Sequence, residues 1–297
     1  MPATKFQCPN GNNVKIEDCL NHCPQGERCM FLPTLRAIAK SVDRKLTEPT
    51  VTELLSGTRE TYLKKTTDFS VAPAEQLFAL HGSAFHNVNQ ANSEGNILTE
   101  VRLYNGVMSG QFDVYGEILD ENSHTLGDYK VTSSYKLMKA LGYYKVDIPT
   151  GEVYKTGARK GQEKTRKEWR TDGVKDILDW AIQLNYYRML LEARGFKVEK
   201  MQIQALVRDY STRIATERNI TKPVYIIPIN RISDRWLKLY FDAKAKKLQN
   251  AIDTKTLPPP CKGHENWQGR KCLDYCDVAN QCPYGMVLKE KADTIAA

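Results

Sequence analysis

Two carboxylates and a lysine on neighbouring segments could together form a hydrolytic site. Asp113 lies in one alternating segment, and Asp128, Tyr129 and Lys130 lie in the next. Side chains alternate along a strand, so Asp128 and Lys130 share a face, and a hairpin partner can bring Asp113 beside them. Two carboxylates and the Tyr129 carbonyl are oxygen ligands of the kind that Mg²⁺ or Mn²⁺ prefers, and Lys130 can orient or help deprotonate water. The pattern predicts metal-dependent phosphodiester hydrolysis.

The hydropathy pattern predicts that these residues lie on an antiparallel meander. Apolar and polar residues alternate over 97–104 and again over 107–119, and Asn105-Gly106 between them is a hairpin turn signal. A third strand is predicted at 125–131. The strands therefore run up, down and up, with the candidate residues on the second and third.

Helices are predicted before and after this meander. Thr50 and Glu53 have the spacing of a capping box, and Pro33 and Pro73 suit the first turn of a helix. The fold class is therefore α/β, a mixed sheet flanked by helices. Helices are predicted at 35–45, from Thr50, at 73–88, from an Asp172 cap to Arg194 before Gly195, and at 233–251, and further strands at 198–207 and 224–227.

Four motifs occur in a fixed order on these elements: Gly82-Ser-Ala-Phe-His86, Gly110-Gln-Phe-Asp113, Asp128-Tyr-Lys130 and Gln183-Leu-Asn-Tyr-Tyr187. In this order, on helix, strand, strand and helix, they resemble the RecB-type branch of the PD-(D/E)xK nucleases, which includes Cas4-like and AddB-like proteins. Each motif alone is weak, and the resemblance covers most of residues 50–190. It implies a restriction-endonuclease-like fold.

The resemblance also implies a role for each matching residue. His86, Asp113, Asp128 and the Tyr129 carbonyl would bind the divalent ion, Lys130 would serve the attacking water, and Gln183 and Tyr187 would touch DNA or hold the catalytic groups. Two neighbours are given no ligand role. His81 is interpreted as a surface or core histidine, and Glu100 as a carboxylate near the site or a salt-bridge partner of Arg102, outside the metal's direct ligands.

The eight cysteines form two copies of one pattern, C-x10-C-x3-C-x5-C. Four thiolates suit either a tetrahedral zinc ion or an iron–sulfur cluster. The duplication favours two self-contained structural zinc sites, although cysteines shared between the termini stay an alternative. The resemblance implies a four-iron cluster instead, but this chain has two full quartets and an x3 spacing where the family commonly has x2. The quartets are Cys8, Cys19, Cys23 and Cys29, and Cys261, Cys272, Cys276 and Cys282.

Composition and spacers predict three parts. Pro258-Pro-Pro260 is a stiff spacer before the second quartet. We therefore expect an N-terminal metal-binding segment at 1–30, a nuclease domain at 31–255 and a C-terminal metal-binding segment at 256–297.

The 297-residue chain contains no apolar run that approaches the roughly 18 residues of a membrane span, and its start lacks a secretory signal. We expect a cytoplasmic protein of a bacterial, archaeal or phage-infected cell.

A basic segment lies between the Asp128-Tyr-Lys130 strand and the Gln183 helix. Such a run is usually a solvated loop, but here it would project near the site, where phosphate contacts and an aromatic ring suit a single strand or an end. With the net charge of +8, the sequence predicts a DNA nuclease acting on single strands or ends in recombination, repair, phage replication or defence. The alternative is an inactive, zinc-stabilised DNA-binding adaptor. The predicted contacts are Lys155, Arg159, Lys160, Lys164, Arg166, Lys167 and Trp169.

Overall fold

The computed structural model describes residues 3–43 and 48–296. Three sheets occur in this part of the chain, and helices pack around the largest of them. The strands are β1 Lys5–Gln7, β2 Asn13–Lys15, β3 Ser70–Val71, β4 Leu98–Tyr104, β5 Ser109–Gly116, β6 Thr125–Thr132, β7 Tyr143–Val153, β8 Glu163–Thr171, β9 Lys200–Val207 and β10 Val224–Pro228. The helices are α1 Ile16–Asn21, α2 Leu32–Val42, α3 Val51–Leu55, α4 Thr58–Thr66, α5 Pro73–Ala91, α6 Ser134–Ala140, α7 Leu178–Glu192, α8 Arg213–Glu217, α9 Asp234–Thr254, α10 Arg270–Asp274 and α11 Pro283–Ala296.

The largest sheet has the strand order β10-β9-β6-β5-β4. Strands β4, β5 and β6 form the predicted antiparallel meander, β6 runs parallel to β9, and β10 runs antiparallel to β9. Helix α7 packs against β4, β5, β6 and β9, and α5 contacts β6. The predicted α/β class with a mixed sheet flanked by helices is confirmed.

Local sequence signals account for most element boundaries. The Thr50 side chain accepts a hydrogen bond from the Glu53 N–H, and the Glu53 carboxylate accepts one from the Thr50 N–H, which is the predicted capping box. The side-chain oxygen of Asn105 accepts from the N–H groups of Val107 and Met108 and closes the turn between β4 and β5. Short-range hydrogen bonds therefore set both boundaries.

Two helix predictions differ from the structure at their ends. Helix α7 begins at Leu178 and not after Asp172, because the chain turns at Gly173 with a positive φ of 83° and then binds back to α6 through the Lys175 N–H and the Ala140 carbonyl. The helix predicted at 35–45 begins at Leu32 and ends at Val42, and the predicted last residues 44–45 lie outside the described residues.

Both cysteine-containing ends contact the central part of the chain. Strand β1 pairs with β3 in parallel, which joins the N-terminal hairpin to the segment before α5. At the other end, Lys271 donates to the Glu60 carboxylate of α4 over 2.5 Å, and Lys64 of α4 lies 2.8 Å from Asp277. None of the described helices combines the length and hydrophobicity needed to cross a lipid bilayer. The boundaries at residues 30 and 256 stay predictions.

Candidate metal and catalytic site

Strands β5 and β6 separate at the residues that carry the candidate carboxylates. Their pairing ends at Val114 and Gly127, so Asp113 and Asp128 are the next residues in register. Beyond this point the Asp113 carboxylate accepts the Tyr129 N–H over 2.6 Å. A side chain therefore takes the place of a ladder hydrogen bond, and both carboxylates lie where the strands diverge.

Three side chains meet beside this divergence with ligand atoms suited to a divalent cation. The Nδ1 atom of His86 lies 2.8 Å from Glu100 Oε1 and 3.7 Å from Asp113 Oδ1. One ligand atom from each of the three residues lies within 4.8 Å of the others. The two carboxylates suit Mg²⁺ or Mn²⁺, whereas the imidazole suits a transition-metal ion better than Mg²⁺, so the residues present fit a divalent ion and favour Mn²⁺ of the two.

Glu100 belongs to this group, although its sequence context predicted no ligand role. It lies opposite Asp113 in the β4–β5 register, and its φ of 53° is in the left-handed region that non-glycine residues rarely occupy. Gln111 donates a hydrogen bond to its second carboxylate oxygen over 2.6 Å. Strained backbone of this kind is concentrated at functional sites. The signal available in the sequence was the hairpin register, which places residue 100 across from residue 113.

A chain of polar contacts leads from Asp128 into helix α7. Lys130 Nζ lies 2.7 Å from Asp128 Oδ2 and donates to the Gln183 side-chain oxygen over 3.2 Å. Gln183 in turn donates to the Tyr187 hydroxyl over 2.9 Å. Asp128 is 2% exposed, and its Oδ2 atom faces the Lys130 ammonium at 2.7 Å. A carboxylate has about four lone-pair sites, so Asp128 can bind a cation as well as Lys130.

Tyr187 is packed too tightly to reach a substrate. It is 3% exposed, and its ring covers Gly110, where a Cβ atom would lie 2.7 Å from the ring. The glycine of the Gly110-Gln-Phe-Asp113 motif is therefore required by this close approach. Of the two roles considered for Gln183 and Tyr187, the contacts favour holding Lys130 over touching DNA.

The pKa values of Asp113 and Lys130 are both raised, for different reasons. Burial, together with the neighbouring Asp128 carboxylate, raises the pKa of Asp113 to about 8. Burial alone would lower the pKa of Lys130, but the carboxylates of Asp128 and Asp113 raise it above its usual value. A cation must therefore displace a proton from Asp113 at neutral pH, and Lys130 acts as a charged donor.

The His86 and Glu100 side chains form a mutually stabilised pair. Their hydrogen bond raises the pKa of His86, and the Asp113 carboxylate adds to that effect. Burial alone would raise the pKa of Glu100, but the hydrogen bonds from His86 and Gln111 hold it below its usual value. A cation bound here would replace the proton that His86 shares with Glu100, and the neutral imidazole and the Glu100 carboxylate would both be ligands.

Loss of either ligand is expected to weaken metal binding. We expect His86→Ala and Glu100→Gln each to raise the Mn²⁺ concentration needed for half-maximal cleavage by at least about 10–100-fold, the range typical for groups that support a metal site. His81→Ala is the matched control, because His81 lies on the same helix but is exposed and outside the ligand group. If the metal titration curve of Glu100→Gln is the same as that of the wild type, Glu100 is excluded as a ligand.

Tyr129 contacts both strand β5 and helix α5. Its N–H binds Asp113, and its ring packs edge-on against Phe85 and His86 of α5, with centroid distances of 5.6 and 5.7 Å. The ring thus positions the helix that carries the imidazole. The role of the Tyr129 carbonyl as a ligand stays a prediction.

The four cysteines of the C-terminal quartet line one small cavity of about 20 Å³. Arg59 of α4 donates to the Cys282 sulfur over 3.7 Å and to the Pro258 carbonyl over 2.5 Å. Gly57 leaves room for this arrangement, since a Cβ atom there would lie 2.1 Å from the Cys261 sulfur. The central domain therefore forms one wall of the quartet.

The N-terminal quartet is also gathered in space. Burial raises the pKa of Cys8, and the nearby thiols of Cys23 and Cys29 raise it further. Cys19 and Cys23 are buried, and all eight cysteines are free of disulfides. Within the described residues, neither quartet has three sulfurs within 4.8 Å of one another. Zn–S bonds of about 2.3 Å would draw the four cysteines of each quartet closer together.

The basic segment forms a β-hairpin and not a loop. Strands β7 and β8 pair with each other and, among the described residues, with no other strand. The predicted contacts divide between the two parts of this hairpin. Lys155, Arg159 and Lys160 lie at its turn, and Lys164, Arg166, Lys167 and Trp169 lie on β8. Residues 143–171 contain eight of the chain's Lys and Arg residues and four of its Asp and Glu residues, a net charge of +4.

Comparison of the chain with protein-family models and with curated proteins finds no match. Its function is therefore inferred from the four motifs and from the geometry of this site.

Proposed function

We propose that the protein is a divalent-metal-dependent nuclease that hydrolyses phosphodiester bonds in DNA. The proposal depends on one observation above all, the meeting of His86, Glu100 and Asp113 beside the Asp128–Lys130 pair where β5 and β6 separate. Hard ligands next to a fixed ammonium are the combination that phosphoryl transfer requires.

Each residue has a defined task in this proposal. His86, Glu100 and Asp113 would hold Mg²⁺ or Mn²⁺ together with Asp128, whose buried oxygen lies next in register. When bound, the ion supplies Lewis-acid polarisation of the phosphate and activation of water. Lys130, fixed by Asp128 and Gln183, orients the attacking water and balances the negative charge that develops on the phosphate.

The cysteine quartets would have a separate, structural task. Thiolates bind borderline or soft metals, so the quartets do not compete for the catalytic ion. We propose a zinc ion in each quartet, with a four-iron cluster as the alternative identity. Bound at the two ends, these metals would hold the β1–β2 hairpin and the α10–α11 region against the central domain.

Incubation of the purified protein with end-labelled single-stranded and double-stranded DNA tests the proposal. We expect cleavage with Mn²⁺ or Mg²⁺, none without an added divalent ion, and full recovery when the ion is restored. A protein that binds DNA but leaves both substrates intact across a metal titration would be the non-catalytic adaptor instead.

A further inference from the structure

We infer that the β7–β8 hairpin, residues 143–171, is an arm that binds double-stranded DNA next to the cleavage site. The inference deepens the proposed function and rests on it for the identity of the nucleic acid. It assigns the substrate a duplex portion, whereas the sequence alone favoured a single strand or an end. Four features of the arm support it.

The first feature is the position of the arm in the fold. It is inserted between β6, which carries Asp128 and Lys130, and α7, which carries Gln183 and Tyr187. Its base is fixed to the domain, because the Thr171 hydroxyl donates to the Leu141 carbonyl over 2.6 Å. In chain order the arm therefore leaves the fold between the two elements that carry the candidate catalytic residues, after the short helix α6.

The second feature is the unpaired positive charge of the arm. Lys164 and Arg166 lie 2.9 and 3.7 Å from Glu152 and Glu168, so these two cations are already compensated. Six other cations are exposed and, in the part of the chain that the structure describes, have no ion pair with a carboxylate. Two of them, Lys145 and Arg159, lie over the rings of Trp169 and Tyr154. The remaining four, which have neither kind of contact, are Lys155, Lys160, Lys167 and Arg170. Exposed cations without an acidic partner are complementary to phosphates.

The third feature is the packing of side chains against the Trp169 and Tyr154 rings of the arm, which argues against stacking of these rings on bases. Lys145 Nζ lies 4.8 Å from the centre of the Trp169 ring, and Tyr143 packs against its side at 6.3 Å. Arg159 lies 5.9 Å from the centre of the Tyr154 ring. Single-strand binding uses rings that are free to stack on bases, whereas these rings already pack against neighbouring side chains of the arm.

The fourth feature is the shape of the arm. A two-stranded ribbon has the width that the major groove of B-DNA admits. The uninterrupted pairing of seven residues, Tyr143 to Pro149 with Thr171 to Thr165, extends about 23 Å at about 3.3 Å per residue, roughly two thirds of the 34 Å of one turn of the duplex. Lys167 and Arg170 lie on opposite faces of β8, so cations are presented to phosphates on both sides of the ribbon.

The test neutralises the four cations that have neither kind of contact and measures binding without cleavage. Lys155, Lys160, Lys167 and Arg170 are all changed to Gln, and fluorescence anisotropy follows a labelled duplex and a single strand of the same length, without added divalent metal. The matched control changes four exposed cations of α9, also three lysines and one arginine, to Gln. The control residues are Arg235, Lys238, Lys246 and Lys247.

We expect the arm variant to bind the duplex at least about 10-fold more weakly, with a salt-dependence slope flatter by up to about 3.6, at about 0.9 for each lost phosphate contact. Single-strand affinity should fall by less than about 3-fold, because a mobile strand can use other charges. The control variant should bind both probes like the wild type, and thermal melting should be unchanged in both variants.

The inference is overturned if duplex affinity and slope stay at the wild-type level, or if both probes lose affinity equally. An RNA duplex of the same length is measured as a third probe. If the arm variant loses more affinity for the RNA duplex than for the DNA duplex, the inference is also overturned. These outcomes are independent of catalysis. A protein that binds duplex DNA through the arm yet cleaves no DNA would contradict only the proposed nuclease function.

Discussion

Asp128→Asn is expected to reduce the rate of DNA cleavage by about 10²–10⁴-fold, the range for removal of a group that acts directly in proton transfer or charge stabilisation. The change keeps the shape of the side chain but removes the charge that meets the cation and Lys130. Folding should be preserved, because the Lys130 side chain is 23% exposed and keeps access to water. Cleavage of end-labelled DNA and a thermal melt of each variant measure the two effects.

The chain offers a matched control for this experiment. Asp120 and Lys200 form another Asp–Lys pair at a similar distance, 2.9 Å against 2.7 Å for Asp128 and Lys130. Both side chains of this second pair are nearly half exposed. Asp120→Asn should therefore cleave DNA at the wild-type rate, since an exposed pair contributes little. Equal activity of Asp128→Asn and Asp120→Asn would contradict the site assignment.

Removal of Lys130 should have two effects that a double variant separates. Lys130→Gln leaves the buried Asp128 carboxylate without its partner, which typically costs about 3–5 kcal/mol of folding free energy. Adding Asp128→Asn should restore most of the melting temperature, because no buried charge is then left unpaired. Cleavage should stay lost in the double variant. Recovery of both properties together would mean that the pair is only structural.

Short-range patterns account for the part of the site that could be predicted. Alternation along one strand places Asp128 and Lys130 on one face, and the Asn105 turn brings β4 and β5 together. Both signals depend on residues close in sequence. The capping box at Thr50 is predictable for the same reason.

The hairpin register alone places Glu100 across from Asp113, but its part in the ligand group also depends on backbone geometry, which such reasoning does not reach. An alternating strand with an acidic residue next to Arg102 is typical of a solvated face, and nothing local indicates a φ of 53°. That conformation interrupts the pairing of β4 with β5 opposite Asp113, where the two carboxylates then meet His86. His86 reaches this point from α5, an element distant from the hairpin turn, so local sequence signals do not indicate the meeting.

The β7–β8 hairpin was missed for a different physical reason. Strand prediction depends on one buried face, which produces alternation of apolar and polar residues. Strand β8 has Trp169 as its one large apolar residue and is otherwise polar. Strand β8 therefore has no hydrophobic pattern, and a charged run of this composition is indistinguishable from a loop. In β7, by contrast, Tyr144, Val146 and Ile148 do alternate with other residues.

Each cysteine quartet is expected to lose one metal equivalent when one of its thiols is removed. We predict that Cys23→Ser and Cys276→Ser each reduce bound metal from two to one per chain and that the double variant binds none. Metal binding energy is folding energy, roughly 10–16 kcal/mol for a structural zinc site. A loss of only about 3 kcal/mol would lower the melting temperature by about 6–12 °C in a chain of this size.

Metal content and cleavage, measured together, test the separation of the two kinds of site. A mild chelator should stop cleavage reversibly by removing Mg²⁺ while the thiolate-bound metals stay in place.

Two zinc ions per colourless chain is the expected composition, whereas iron with sulfide and a brown colour would contradict zinc and identify clusters. Burial already raises the pKa of Cys276 to about 11, so its thiolate needs a bound cation near neutral pH. If Cys276→Ser keeps the wild-type melting temperature and metal content, the quartet has no structural metal.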